Sequence, residues 1–207
     1  RTPFGRFRGA LANYTAVELG TFAVNGVLQR VGIDPSSGII DQVYMGQVLQ
    51  AGAGQAPARQ VAMAAGLPYS TPCTTINKVC GSSLKAVMIA ATEIMAGRSN
   101  VVIAGGMESM SQAPHFIRGA RRGDEISFGE LTGILSHDGL KDAYDGSMMG
   151  ITGETIAEEA NISRTESDRY ALRSHKLSNS AWQKGWLAEE CVSTVSYTHL
   201  TLPTNTV

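Results

Sequence analysis

Cys80 is the side chain in this sequence best placed to do chemistry. It stands in the run Cys73 to Val87, where Thr74, Thr75, Ile76 and Val79 favour extended backbone and Gly81, Ser82 and Ser83 open a helical run reaching Ala96. That order predicts a thiol at a strand-to-helix corner. The unpaired N–H groups and macrodipole of a helix start favour negative charge. The small residues after Cys80 leave room for a carbonyl to approach, and backbone N–H groups at such a corner can receive a developing oxyanion. The layout follows the logic of the serine elbow of hydrolases, with sulfur as nucleophile. The plainer alternative is a core cysteine, because free cysteines are among the most buried residues.

Other chemistry-bearing residues have weaker contexts. His115 and His137 fall in loops without an evident partner, and His175 lies among Arg173 and Lys176, as on an exposed helix face. Arg118, Arg121 and Arg122 form a cluster able to meet a phosphate, although a solvated basic turn or an oligomer contact explains it more simply. Ala51 to Gly54 looks like a phosphate loop but lacks both the Lys-Ser/Thr of a P-loop and full dinucleotide spacing, so it reads as a structural turn.

The elements that position Cys80 follow from pattern. Thr15 and Glu18 form a capping box for a helix carrying Val17, Phe22, Val24, Val27, Leu28 and Val31 to the core and stopping at Gly32. Gln42 to Leu49 reads as a strand, Ala58 to Ala65 as a helix ending at Gly66, and Asn100 to Ala104 as an apolar strand in mid-sheet. From Ser83 to Ala96 the apolar positions nearly encircle the axis, which predicts a helix buried on most sides. Alternating strands and helices imply a layered α/β core. From Gln112 to Gly146 no period is sustained, as in a long functional loop. Ser163 and Glu166 form a second capping box, opening a helix through Ala171, Leu172, Leu177 and Trp182 to Gly185.

With 207 residues, 43% hydrophobic content and a net charge of -1, the chain can bury a sizeable core and needs no nucleic acid partner. Cys73, Cys80 and Cys191 make neither a disulfide framework nor a zinc site, so no metal is expected and the compartment is read as reducing. No apolar run approaches the length of a membrane span.

The block Asn77 to Ala86 resembles the nucleophile motif of the thiolases, the acetyl-CoA acetyltransferase and 3-ketoacyl-CoA thiolase family. Four further blocks match in the same order: Arg1 to Gly5, Gly54 to Gln60, Ala104 to Ser111, and Met149 to Glu154. The resemblance implies an αβαβα layered N-terminal half, with residues 1–111 as core domain and 112–194 as part of an inserted loop domain. It also implies truncation at both ends, and residues 195–207 read as a non-native tail. It implies acyl transfer between CoA thioesters through an acylated Cys80, with acyl-CoA and CoA as partners and no further cofactor. Met148 occupies a position that touches the pantetheine arm in the family, which leaves chain length open between acetoacetyl-CoA and longer ketoacyl-CoA. Gln55 and Arg59 are expected at a subunit contact of a homodimer or homotetramer, with an exposed helix charge as the other reading of Arg59. The expected location is cytoplasmic, or mitochondrial or peroxisomal in a eukaryote. The family's Gly-His-Pro, Cys-x-Gly and Asn-Glu-Ala-Phe motifs do not occur in these 207 residues. A decarboxylating ketoacyl synthase and a non-catalytic dimerisation module are the rival readings.

Overall fold

The computed structural model describes residues 1–119, 123 and 131–194. They fall into two compact units that divide between Gly139 and Leu140.

The first unit is built on a three-stranded parallel sheet in the order β2-β1-β3, comprising β1 (Gln42–Gly46), β2 (Cys73–Ile76) and β3 (Val102–Gly106). Side chains alternate across a strand. Val43 and Met45 of β1 therefore join one core, with Val24 and Leu28 of α1 (Ala16–Val31) and Ala58, Val61 and Ala62 of α2 (Pro57–Ala64). Tyr44 faces the other way, onto Ala86 and Ala90 of α3 (Ser82–Met95). The α1 box forms as expected: Thr15 accepts from the Glu18 N–H while the Glu18 carboxylate takes the Thr15 N–H at 2.8 Å. Gly32 ends the helix in the left-handed region.

Four expectations need correction. The buried stripe of α1 is Ala16, Gly20, Val24 and Leu28, at four-residue spacing, while Val27 and Val31 are exposed. β1 stops at Gly46, short of Leu49, and among the described residues β3 is an edge strand that is only half buried, because the crossover through α3 carries the chain past β1 to its far side. The largest difference concerns α3. Only Ser82, Ala86 and Ala90 are buried, whereas Leu84, Val87, Met88, Ile94 and Met95 are exposed. Periodicity counts apolar side chains, and a helix rich in them all round is buried only where another layer reaches it.

Beyond β3, a short antiparallel pair, β4 (His115–Phe116) and β5 (Thr132–Gly133), closes the first unit. His115 is therefore on a strand, and His137 stacks edge-on against Phe116 with its Nδ1 2.5 Å from the Asp138 carboxylate. The second unit holds α4 (Met149–Glu159) and α5 (Arg164–Gln183), neither with a buried residue. Its capping box forms as read: Ser163 accepts from the Glu166 N–H, and Glu166 takes the Ser163 N–H at 2.9 Å. His175 is exposed on α5. The 195–207 segment lies outside the described residues.

Candidate nucleophile corner

Cys80 sits where the sequence predicts, between β2 and the start of α3, and it is exposed. Two glycines set that position. Gly46 and Gly106 are register partners at the C-terminal ends of β1 and β3, and both lie under the first turn of α3. A Cβ on Gly46 would stand 2.6 Å from the backbone of Ser82 and Ser83, and one on Gly106 2.6 Å from the Ser83 Cβ. With neither present, the helix start rests directly on the strand ends. This is the carboxyl edge of a parallel sheet at the point where the connections switch sides, the usual location of ligand sites in open α/β sheets.

The loop before the helix is tightly held. The Val79 N–H donates to Asn77 Oδ1 at 2.9 Å, and Asn77 Nδ2 donates to the Val48 carbonyl at 3.3 Å. Ser82 Oγ accepts from the Lys78 N–H at 2.9 Å and donates to the Val79 carbonyl at 2.5 Å. The Gly81 and Ser82 N–H groups are engaged as well, on the carbonyls of Lys78 and Val79. These two N–H groups are therefore already taken and are not open donors at the corner. Glu108, in the segment after β3, accepts from the Val48 and Leu49 N–H groups at 2.8 and 3.2 Å, which fixes the loop that Asn77 touches. Gln47 is buried beside this loop and donates to the Leu49 carbonyl. Sequence reading missed Glu108, Gln47 and Asn77 as supports; the Gly-Met-Glu-Ser block was the available signal for the first.

Cys73 behaves differently from Cys80. It is half-buried on β2, its Sγ lies 3.3 Å from the Thr71 carbonyl, and burial pushes its thiol up against the opposing pull of the Arg59 guanidinium. Arg59 itself is neither a free helix charge nor an idle side chain. Its two terminal nitrogens donate to the carbonyls of Thr71 and Tyr69 at 2.8 and 2.7 Å, tying α2 to the approach of β2. Of the basic cluster, Arg118 lies 5.1 Å over the Phe116 ring, and Arg121 and Arg122 lie outside the described residues. Met148 belongs to the second unit, where it is 42% exposed, stands at the N-cap position of α4 without a side-chain cap bond, and forms an isolated antiparallel bridge with Lys141.

Fold and corner together define a layered α/β protein that presents a thiol from a strand-to-helix turn. The sequence comparison then gives the family: residues 1–201 match the thiolase N-terminal domain, and the chain belongs to the thiolases. It is 45% identical over 192 residues to the mitochondrial acetyl-CoA acetyltransferase of Danio rerio, covering 93% of this chain and 45% of that protein. It is 46% identical to a probable acetyl-CoA acetyltransferase of Escherichia coli strain K12, covering 93% of this chain and 48% of the relative. A cytosolic acetyl-CoA acetyltransferase of Gibberella zeae is 43% identical over 189 residues, 91% of this chain and 47% of its own. The chain thus spans about half the length of the curated relatives it matches. Among the described residues no helix is long and apolar enough to cross a membrane.

Proposed function

We propose that this chain supplies the acyl-accepting half of an acetyl-CoA C-acetyltransferase, with Cys80 as the nucleophile. The supporting observation is the exposed thiol at the β2–α3 corner, on the carboxyl edge of the parallel sheet, within the block that resembles the family's nucleophile motif. In the reaction the Cys80 sulfur attacks the carbonyl carbon of an acyl-CoA. The thioester C–S bond breaks, CoA leaves as its thiol, and the acyl group stays on Cys80 until a second thiol or a carbanion accepts it. Met148 is the proposed apolar contact for the thioester arm. The substrates are CoA thioesters, and the working protein is a homodimer or homotetramer in a cytoplasmic, mitochondrial or peroxisomal setting.

The 207-residue chain carries no Gly-His-Pro or Cys-x-Gly motif to move protons for both half-reactions. Coupled members of a catalytic set are not replaceable one by one, so turnover of acetoacetyl-CoA by this polypeptide alone is expected roughly a thousandfold or more below that of a complete enzyme. The test uses the full chain with acetyl-CoA. An acetyl mass increment on the Cys80 peptide, protection of Cys80 from iodoacetamide, and loss of both in Cys80→Ser support the reading. Indifference of Cys80 to acetyl-CoA favours the non-catalytic module.

A further inference from the structure

Val79, immediately before the proposed nucleophile, has a φ of 47°. A β-branched residue in the left-handed region is a genuine outlier, because its Cβ crowds the following carbonyl. Such a conformation persists only when its surroundings over-determine it. Here both ends of the strained residue are gripped. Its N–H is taken by Asn77 Oδ1, two residues earlier, in an Asx-type turn, and its carbonyl receives the Ser82 hydroxyl and the Ser82 N–H. The same hydroxyl accepts from the Lys78 N–H, so Ser82 spans the strained residue from one flank to the other. Ser82 is buried at 5% exposure in the first turn of α3, which rests on Gly46, and Asn77 is anchored to the Val48 carbonyl. The turn is therefore held from the sheet on one side and from the helix on the other.

We propose that Asn77 and Ser82 are positioning residues that clamp Val79 in the left-handed conformation and thereby fix where Cys80 stands at the start of α3. The role given to Cys80 rests on the reading above; the clamp itself does not. Without the clamp, Val79 relaxes to negative φ, the peptide leading to Cys80 rotates, and the thiol leaves the helix start. Thiol reactivity follows its electrostatic surroundings, and a helix start is a favourable one.

The experiment uses the whole chain at fixed pH, with iodoacetamide as probe and each cysteine-bearing peptide followed by mass spectrometry, so that Cys73 and Cys191 act as internal references. Asn77→Ala and Ser82→Ala are each expected to slow Cys80 alkylation about tenfold, the size of a relaxed left-handed residue, with the other two cysteines unchanged. Adding Val79→Gly to either variant should return the rate to within about twofold of the parent, because glycine adopts positive φ without steric cost. Asn77→Asp, which keeps the acceptor for the Val79 N–H and loses the donor to Val48, should recover most of the loss. Backbone chemical shifts and a strong intraresidue amide-to-Hα NOE of Val79 in the parent should report positive φ. If Ser82→Ala fails to fold, the exposed Asn77 series carries the result. Negative φ at Val79, an unchanged Cys80 rate in Asn77→Ala, or failure of Val79→Gly to rescue it overturns the clamp. No acyl-CoA enters this test, so a failure of acyl transfer to Cys80 leaves its outcome standing.

Discussion

The two faces of the β2-β1-β3 sheet are built to different standards. On one, Val43 and Met45 meet α1 and α2 in a core where Val61, Ala58 and Ala62 are fully enclosed. On the other, Tyr44, Ala86 and Ala90 form a smaller cluster with the partly buried Ile76, Ile89, Val102 and Ala104, and Leu84, Val87, Met88, Ile94 and Met95 of α3 turn outward. The enclosed face holds side-chain volume; the open face holds backbone geometry. Apolar burial is what stabilises a domain, so the first face carries most of the stability of the unit. The second carries the corner, where the important contacts are glycine against backbone and polar groups around one strained peptide. Stability and the candidate chemistry are thus assigned to opposite sides of a single strand.

The same truncation made on the two faces breaks or confirms that division. Leu28→Ala, at 3% exposure in the α1 stripe, should cost about 3 kcal/mol in denaturant unfolding, the transfer loss plus a residual cavity. Gly46→Ala should come next, at about 2 kcal/mol, because the new methyl meets backbone that has no rotamer by which to yield. It should also alter Cys80 alkylation, which Leu28→Ala should leave alone while the protein stays folded. Asp41→Asn should have a smaller, pH-dependent effect. The Asp41 carboxylate accepts from the Val101 and Asn100 N–H groups, and these bonds hold its pKa below the ordinary value. A depressed folded-state pKa gives stability that is present above the unfolded pKa and is lost as pH falls through the folded one. The melting difference between wild type and Asp41→Asn should therefore be largest near neutrality and vanish in strong acid. Leu84→Ala, at 66% exposure on α3, should change stability by less than about 0.5 kcal/mol. A loss at Leu84 equal to that at Leu28 would mean that the open flank is covered in solution.

What could be read in advance was what is encoded within a few residues. Both capping boxes depend on a pair three positions apart, and both form. The corner at Cys80 followed from an extended block meeting a helical one. Long-range facts were harder. An apolar strand reads the same at the edge of a sheet as in its middle, so β3 was placed wrongly. The girdle of apolar residues on α3 records what the helix can bury, while its actual cover is set by elements far away in sequence. Arg59 reads from the sequence as a subunit contact or an exposed helix charge, because nothing local reveals two carbonyls within its reach. The Val79 clamp was hidden for a different reason: valine is a poor choice for positive φ, so propensity points away from the conformation that Asn77 and Ser82 enforce.

The seat of α3 on Gly46 and Gly106 has a consequence for how the corner tolerates change. Most positions in a protein are cushioned by side chains that can swing, repack and absorb a neighbour's drift. Here Gly46 bears on the main chain of Ser82 and Ser83 and Gly106 on the Ser83 Cβ, neither of which can swing aside, so the first turn of the helix behaves like a part located against a machined stop. Alterations in the oily side of the sheet can soften the molecule without shifting that reference plane, whereas a single added carbon at the stop displaces everything mounted on it.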